Sequence, residues 1–143
     1  MKDEFVGYLK AIGLTDVLIN RIGTVYEFYQ GVCPEELVDI FVTDLVKQDG
    51  SREYENLWLF SQGYAMEAKS FVTKDNFDMT PQRKIVHWTI EKQDYDFRNA
   101  TEKSRLYLVA DAAENLHYLF KASKENCDYL REIFRKYILP NCQ

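Results

Sequence analysis

The feature that most constrains this chain is the order of its elements after residue 37. Strand-length apolar runs follow one another through short turns, and one amphipathic helix over 124–138 closes the chain. Such an order favours an antiparallel meander, because parallel strands need long crossover connections. Residues 37–46, LVDIFVTDLV, are dense in β-branched side chains and lead into Gln48-Asp49-Gly50-Ser51. Asp-Gly between apolar runs is a strong hairpin signal. We therefore expect a strand from Val38, after one helical turn at 34–37 that Pro34 would start. With Asp49 and Gly50 as a two-residue loop, Leu45 faces Tyr54, Val42 faces Leu57 and Ile40 faces Leu59.

The meander continues with a strand at 53–61, in which Leu57-Trp58-Leu59-Phe60 is apolar on both faces. Tyr64, Met66 and Ala68 alternate with Ala65, Glu67 and Lys69, and a short strand is expected around Phe77–Met79. Residues 84–98 form a long run in which the polar stretch 91–94 is expected as a bend or a turn. A loop at Asn99–Glu102, a strand at Leu106–Ala110, a turn at Asp111–Glu114 and a strand at Leu116–Phe120 complete it. In the closing helix Ser123 is placed to cap. Cys127, Leu130, Phe134, Tyr137 and Ile138 share a stripe with Ile133 beside it, and Pro140 prevents extension.

Ahead of the meander lies a short helical pair. Phe5, Tyr8, Leu9 and Ile12 recur at helical spacing before Gly13. Thr15 is a candidate N-cap for a second helix ending near Gly31, with Val17, Leu18, Ile22, Val25, Tyr26 and Tyr29 on one broad face. This 1–33 annex, ahead of the 34–143 domain, is too small to fold alone, so its apolar face must pack on something else: it either covers one sheet surface or supplies a partner-binding face.

Composition excludes some function classes. A net charge of −5 opposes binding to nucleic acid or an anionic membrane, and no dense Lys/Arg cluster occurs. The three cysteines, Cys33, Cys127 and Cys142, have no CxxC spacing and read as reduced thiols. MKDEFVGYLK reads as neither signal peptide nor membrane span, so a soluble, cytoplasmic protein is expected. Composition sets no oligomeric state.

About seven strands in meander order followed by one amphipathic helix resemble the pleckstrin-homology-like (PH-like) fold over residues 38–139. The resemblance rests on the Asp49-Gly50 hairpin, the run Leu57–Phe60 and the closing helix with Leu130 and Phe134 facing inward. It implies an α+β protein: an N-terminal helical pair, then a seven-stranded antiparallel PH-like barrel or rolled sheet with a C-terminal capping helix. Members that bind phosphoinositides carry a Lys/Arg cluster at the first hairpin. This chain has only Lys47 and Arg52 there, beside Asp49 and Glu53, which argues against lipid headgroups.

No residue pattern marks chemistry strongly enough to assign a catalytic, cofactor-binding or metal site. Glu67-Ala68-Lys69 has the E-x-K form of metal-dependent nucleases, with Asp44 or Asp49 as the upstream acid. Alternation instead makes Glu67 and Lys69 an ordinary solvated strand face. His87 and His117 sit in separate strand runs and have no third ligand at a helpful spacing, whereas catalytic zinc needs three. Asp94 and Asp96 could meet a divalent ion, but they flank Tyr95 and Phe97 as a half-buried strand would. No nucleophile or nucleotide motif occurs. We therefore expect a non-enzymatic PH-like interaction module for a protein or peptide partner, binding at a sheet edge or beside the closing helix. The alternative is a small metal-dependent nuclease or hydrolase using Glu67 and Lys69.

Overall fold

The computed structural model describes residues 1–74, 76–81, 85–96, 101–112 and 117–141. Residues 76–81, 85–86, 91–96, 101–108, 112 and 141 are described as backbone alone. Two helices, α1 (Asp3–Ala11) and α2 (Asp16–Val32), precede seven strands: β1 (Asp39–Val46), β2 (Arg52–Phe60), β3 (Tyr64–Lys69), β4 (Asn76–Pro81), β5 (Ile85–Asp96), β6 (Thr101–Ala112) and β7 (His117–Ser123). The closing helix α3 (Asn126–Ile133) runs into a π-helical turn, Phe134–Ile138, and a 3₁₀ turn, Leu139–Asn141.

The α+β class and the strand order agree with expectation, but the seven-stranded PH-like barrel does not. The strands form a four-stranded sheet, β1-β2-β3-β4, and a three-stranded sheet, β5-β6-β7, and neither is closed. Closure requires every strand to be paired on both sides. β4 ends on Pro81, which has no N–H to offer a further ladder. Each sheet also has helices of its own unit as cover, so it need not curl on itself to bury its apolar face.

The chain divides into two compact units. The first comprises Met1–Val42 with Tyr54–Gln82, and the second comprises Thr43–Glu53 with Arg83–Gln143. The base of the β1–β2 hairpin thus belongs to the first and its tip to the second. In the first unit, Leu9, Ile12, Ile22, Tyr29, Phe41, Leu57, Leu59, Phe60, Met66 and Phe71 are fully buried. Each such side chain contributes roughly 1.5–3 kcal/mol of transfer free energy. Tyrosine hydroxyls fasten helices to strands. Tyr29 Oη donates to the Glu67 carbonyl at 3.0 Å, Tyr54 Oη donates to the Ile12 carbonyl at 2.6 Å, and Tyr8 Oη accepts from the Val42 N–H at 2.9 Å.

Thr15 caps α2 as expected, accepting from the Leu18 N–H at 3.4 Å. The buried stripe is Ile19, Ile22, Val25, Tyr26 and Tyr29, whereas Val17 is 76% exposed. Residues 34–37 form no helical turn. Gln30 holds that segment instead, donating to the Glu35 carbonyl at 3.1 Å and accepting from the Leu37 N–H at 3.1 Å.

In the second unit the hairpin tip departs from the expected two-residue loop. Lys47 N–H donates to the Ser51 carbonyl at 2.8 Å and Gly50 N–H donates to the Lys47 carbonyl at 3.0 Å. This is a three-residue loop with Gly50 at φ +86°, the bulged arrangement in which only glycine sits without strain. Lys47 therefore stands opposite Ser51, and near the turn the pairing slips by one residue. A one-residue slip exchanges faces, and here it brings Asp44 and Arg52 to the same side.

β5, β6 and β7 pair antiparallel, with register shifts in β5 between Ile85 and His87 and between Gln93 and Tyr95. The polar stretch at 91–94 therefore lies within a continuous strand and holds an irregularity, not a turn. Thr101, Glu102 and Asp111, expected in loops, belong to β6. α3 packs on β6 and β7. Cys127, Leu130, Ile133 and Ile138 are buried, while Phe134 and Tyr137 are half-buried. A wider π turn spans Phe134–Ile138.

Candidate functional site

Three features of the second unit could carry function or could be taken for a functional site. The first is a buried polar cluster at the hairpin tip and the β7–α3 corner. Asp44, wholly enclosed, accepts from Arg52 Nε at 2.6 Å, Ser123 N–H at 3.1 Å, Asn126 Nδ2 at 2.7 Å and Ser123 Oγ. Arg52 also pairs with Glu125 at 2.6 Å and donates to the Ser123 carbonyl at 3.3 Å. Burial pushes the Glu125 carboxyl up, but the hydrogen bond from Arg52, a backbone N–H and the charges of Arg52 and Lys124 outweigh it and hold it below its ordinary value. Ser123, expected to cap α3, spends its hydroxyl on Asp44, and α3 has no side-chain cap. With its oxygens occupied by donors from three residues, Asp44 acts as a structural staple.

The second feature is a margin of exposed apolar surface on edge strand β5. Its residues Trp88 and Ile90 share a face with Ala110 of β6 and with Tyr118 and Phe120 of β7. Those three neighbours are buried, yet Trp88 and Ile90 remain 41% and 40% exposed. Trp88 meets Phe134 edge-on, with ring centroids 5.1 Å apart and planes at 74°. Among the described residues, β5 has β6 as its one partner in the sheet.

The third lies on the opposite, solvent face. Strand pairing places His87 opposite Asp111, and Asp111 opposite His117. Asp111 Oδ1 lies 2.7 Å from His117 Nδ1, and Oδ2 lies 3.5 Å from His87 Nδ1. The hydrogen bond with His117, helped by its charge and by His87, holds the Asp111 carboxyl below its ordinary value. The bulge between Ile85 and His87 sets this row, because without it His87 would stand one position further along β6. The expected turn at Asp111 had hidden the carboxylate between the two histidines, and only the cross-strand register reveals it. Among the described residues, no group of three or more His, Cys, Asp or Glu side chains is placed to hold a metal ion.

In the first unit, Glu67 accepts from Asn56 Nδ2 at 3.2 Å and sits 4.0 Å from Lys69 Nζ, half-buried beside an exposed lysine. Of its proposed upstream acids, Asp44 is engaged as above. Asp49 accepts from Ser51 N–H and Oγ at 2.8 and 2.6 Å, bonds that lower its pKa. Cys33 and Cys127 are buried free thiols. Phe97, Cys142 and the side chains of Asp94, Tyr95 and Asp96 lie outside the described residues. No helix among those described is long and apolar enough to cross a membrane. Comparisons with protein-family models, with curated proteins and with solved structures find no match.

Proposed function

We propose that this chain is a non-enzymatic binding module that takes an extended segment of a partner protein by strand addition to the outer edge of β5. The observation that carries this is the incomplete burial of Trp88 and Ile90, on the face that β6 and β7 bury. A strand with one neighbour offers backbone N–H and C=O groups to an added strand. Trp88, Ile90 and the half-buried Phe134 would seat its alternate apolar side chains. The outer edge of β1 is a poorer template. There the Ile40 N–H is held by Asp39 Oδ1 at 3.1 Å and the Val42 N–H by Tyr8 Oη.

Selection from a random-peptide display library tests the proposal. Extended binders with alternating apolar residues are expected, and Ile90→Lys should abolish their binding while leaving the circular dichroism spectrum unchanged. Trp58 is 3% exposed, so fluorescence changes on binding should come from Trp88. Selected peptides that bind wild type and Ile90→Lys equally would overturn the assignment.

A further inference from the structure

We propose that the segment added to β5 carries the pattern apolar–x–apolar–acid in its own N-to-C direction, and that His87 selects the acid. This rests on the strand-addition reading and adds to it a charge requirement, met on the face opposite Trp88 and Ile90.

The β5-β6-β7 sheet is antiparallel throughout, and antiparallel pairing is the more stable kind per residue. A strand laid antiparallel against β5 passes Ile90, Thr89, Trp88 and His87 in that order. Directly opposed residues share a face of the sheet. The segment's apolar residues therefore belong opposite Ile90 and Trp88, and the residue after the second belongs opposite His87, on the solvent face. There the sheet already alternates in chemistry, with Asp111 between His117 at 2.7 Å and His87 at 3.5 Å. An added strand extends this row outward from His87. His87 faces Asp111 through Nδ1, and its Nε2 has no partner among the described residues. The His87 side chain is 67% exposed, so the ring can meet a new neighbour without disturbing the core. The ionisable groups around it are Asp111 of β6, His117 of β7 beyond that, and Glu91 further along β5 past Thr89. An acid opposite His87 would place the imidazole between two carboxylates, which favours its charged form. Opposite charges across a strand pair attract, like charges repel, and a neutral residue gains nothing from the imidazolium.

A display library of extended peptides that hold Val-Thr-Val between randomised flanks tests this with the full chain as bait. Selection at pH 6 should enrich Asp and Glu directly after the second Val. A synthetic binder with Glu there should bind about two- to fivefold more tightly than its Gln counterpart. The gap should narrow at pH 8, where an imidazole is neutral, and His87→Gln should remove it while the Gln peptide binds as before. Moving the acid ahead of the first Val sets it at the register position of Glu91, away from His87, and should give no gain. Binders that are lost in Ile90→Lys yet show no preference for the acid would overturn this proposal and leave strand addition standing. So would an acid preference that survives in His87→Gln. A library that yields no binder at all would overturn both readings.

Discussion

Asp44→Ala should be among the most damaging single substitutions in this chain. The carboxylate is fully enclosed, and its removal leaves the Arg52 guanidinium, the Ser123 N–H and the Asn126 amide without their shared acceptor. Arg52 is itself only 13% exposed, and it also pairs with Glu125 at the surface. Removing one partner of a buried pair costs about 3–5 kcal/mol, because the other charge stays buried uncompensated. Against a total stability of about 5–15 kcal/mol, that is a large fraction. Urea unfolding followed by tryptophan fluorescence measures it, with the slope on denaturant checking that the denatured state is comparable. The double replacement Asp44→Leu with Arg52→Met should recover only the part of the loss due to the buried Arg52 charge, since the Ser123 N–H and the Asn126 amide still lack their acceptor. A loss below about 1 kcal/mol, the range of exposed ion pairs, would refute the claim that this cluster is buried and interdependent.

A Cβ added at Gly23 meets no heavy atom within 4 Å, so Gly23→Ala in the middle of α2 should stabilise by about 0.5–1 kcal/mol in thermal or urea unfolding. Tyr8→Phe leaves the buried Val42 N–H without its acceptor and should cost about 1–3 kcal/mol by the same assays. Glu125 has a lowered folded pKa, so its ionised form stabilises the fold above its unfolded value. That contribution should fade as pH falls below about 4.5 through the folded value. The gap in urea midpoint between wild type and Glu125→Gln should therefore be constant near pH 6–7 and close at acid pH. A gap unchanged down to pH 3 would contradict the assignment.

Much of the local structure was legible because it depends on nearby residues. Thr15 ahead of Asp16, the Gly13 break and the β-branched density of 38–46 each act within a turn or a strand. Sheet organisation was not legible. Whether β4 pairs with β5 depends on backbone hydrogen bonds at the end of a strand, and apolar alternation is the same in a barrel and in two open sheets. The hairpin shows the sensitivity at its sharpest. Two-residue and three-residue loops both suit Gln48-Asp49-Gly50, and the difference decides whether Asp44 and Arg52 share a face. Once they do, Ser123 turns to Asp44 and no longer caps α3, so one local ambiguity spread to the far end of the chain. The His87–Asp111–His117 row had no sequence signal, because it requires the registers of two strand pairs and a bulge. The exposure of Trp88 and Ile90 follows from β5 lying at an edge, which alternation does not encode.

The central claim, that β5 is an open edge that accepts a strand, is tested most directly by amide hydrogen exchange resolved along residues 85–96. In the free protein, amides directed at β6 should be protected and those between them should exchange fast, giving an alternating pattern. Saturation with a selected extended peptide should protect the fast set. Uniform protection of β5 in the free protein would mean that another strand already covers that edge, and it would contradict both the two-sheet architecture and the proposed function.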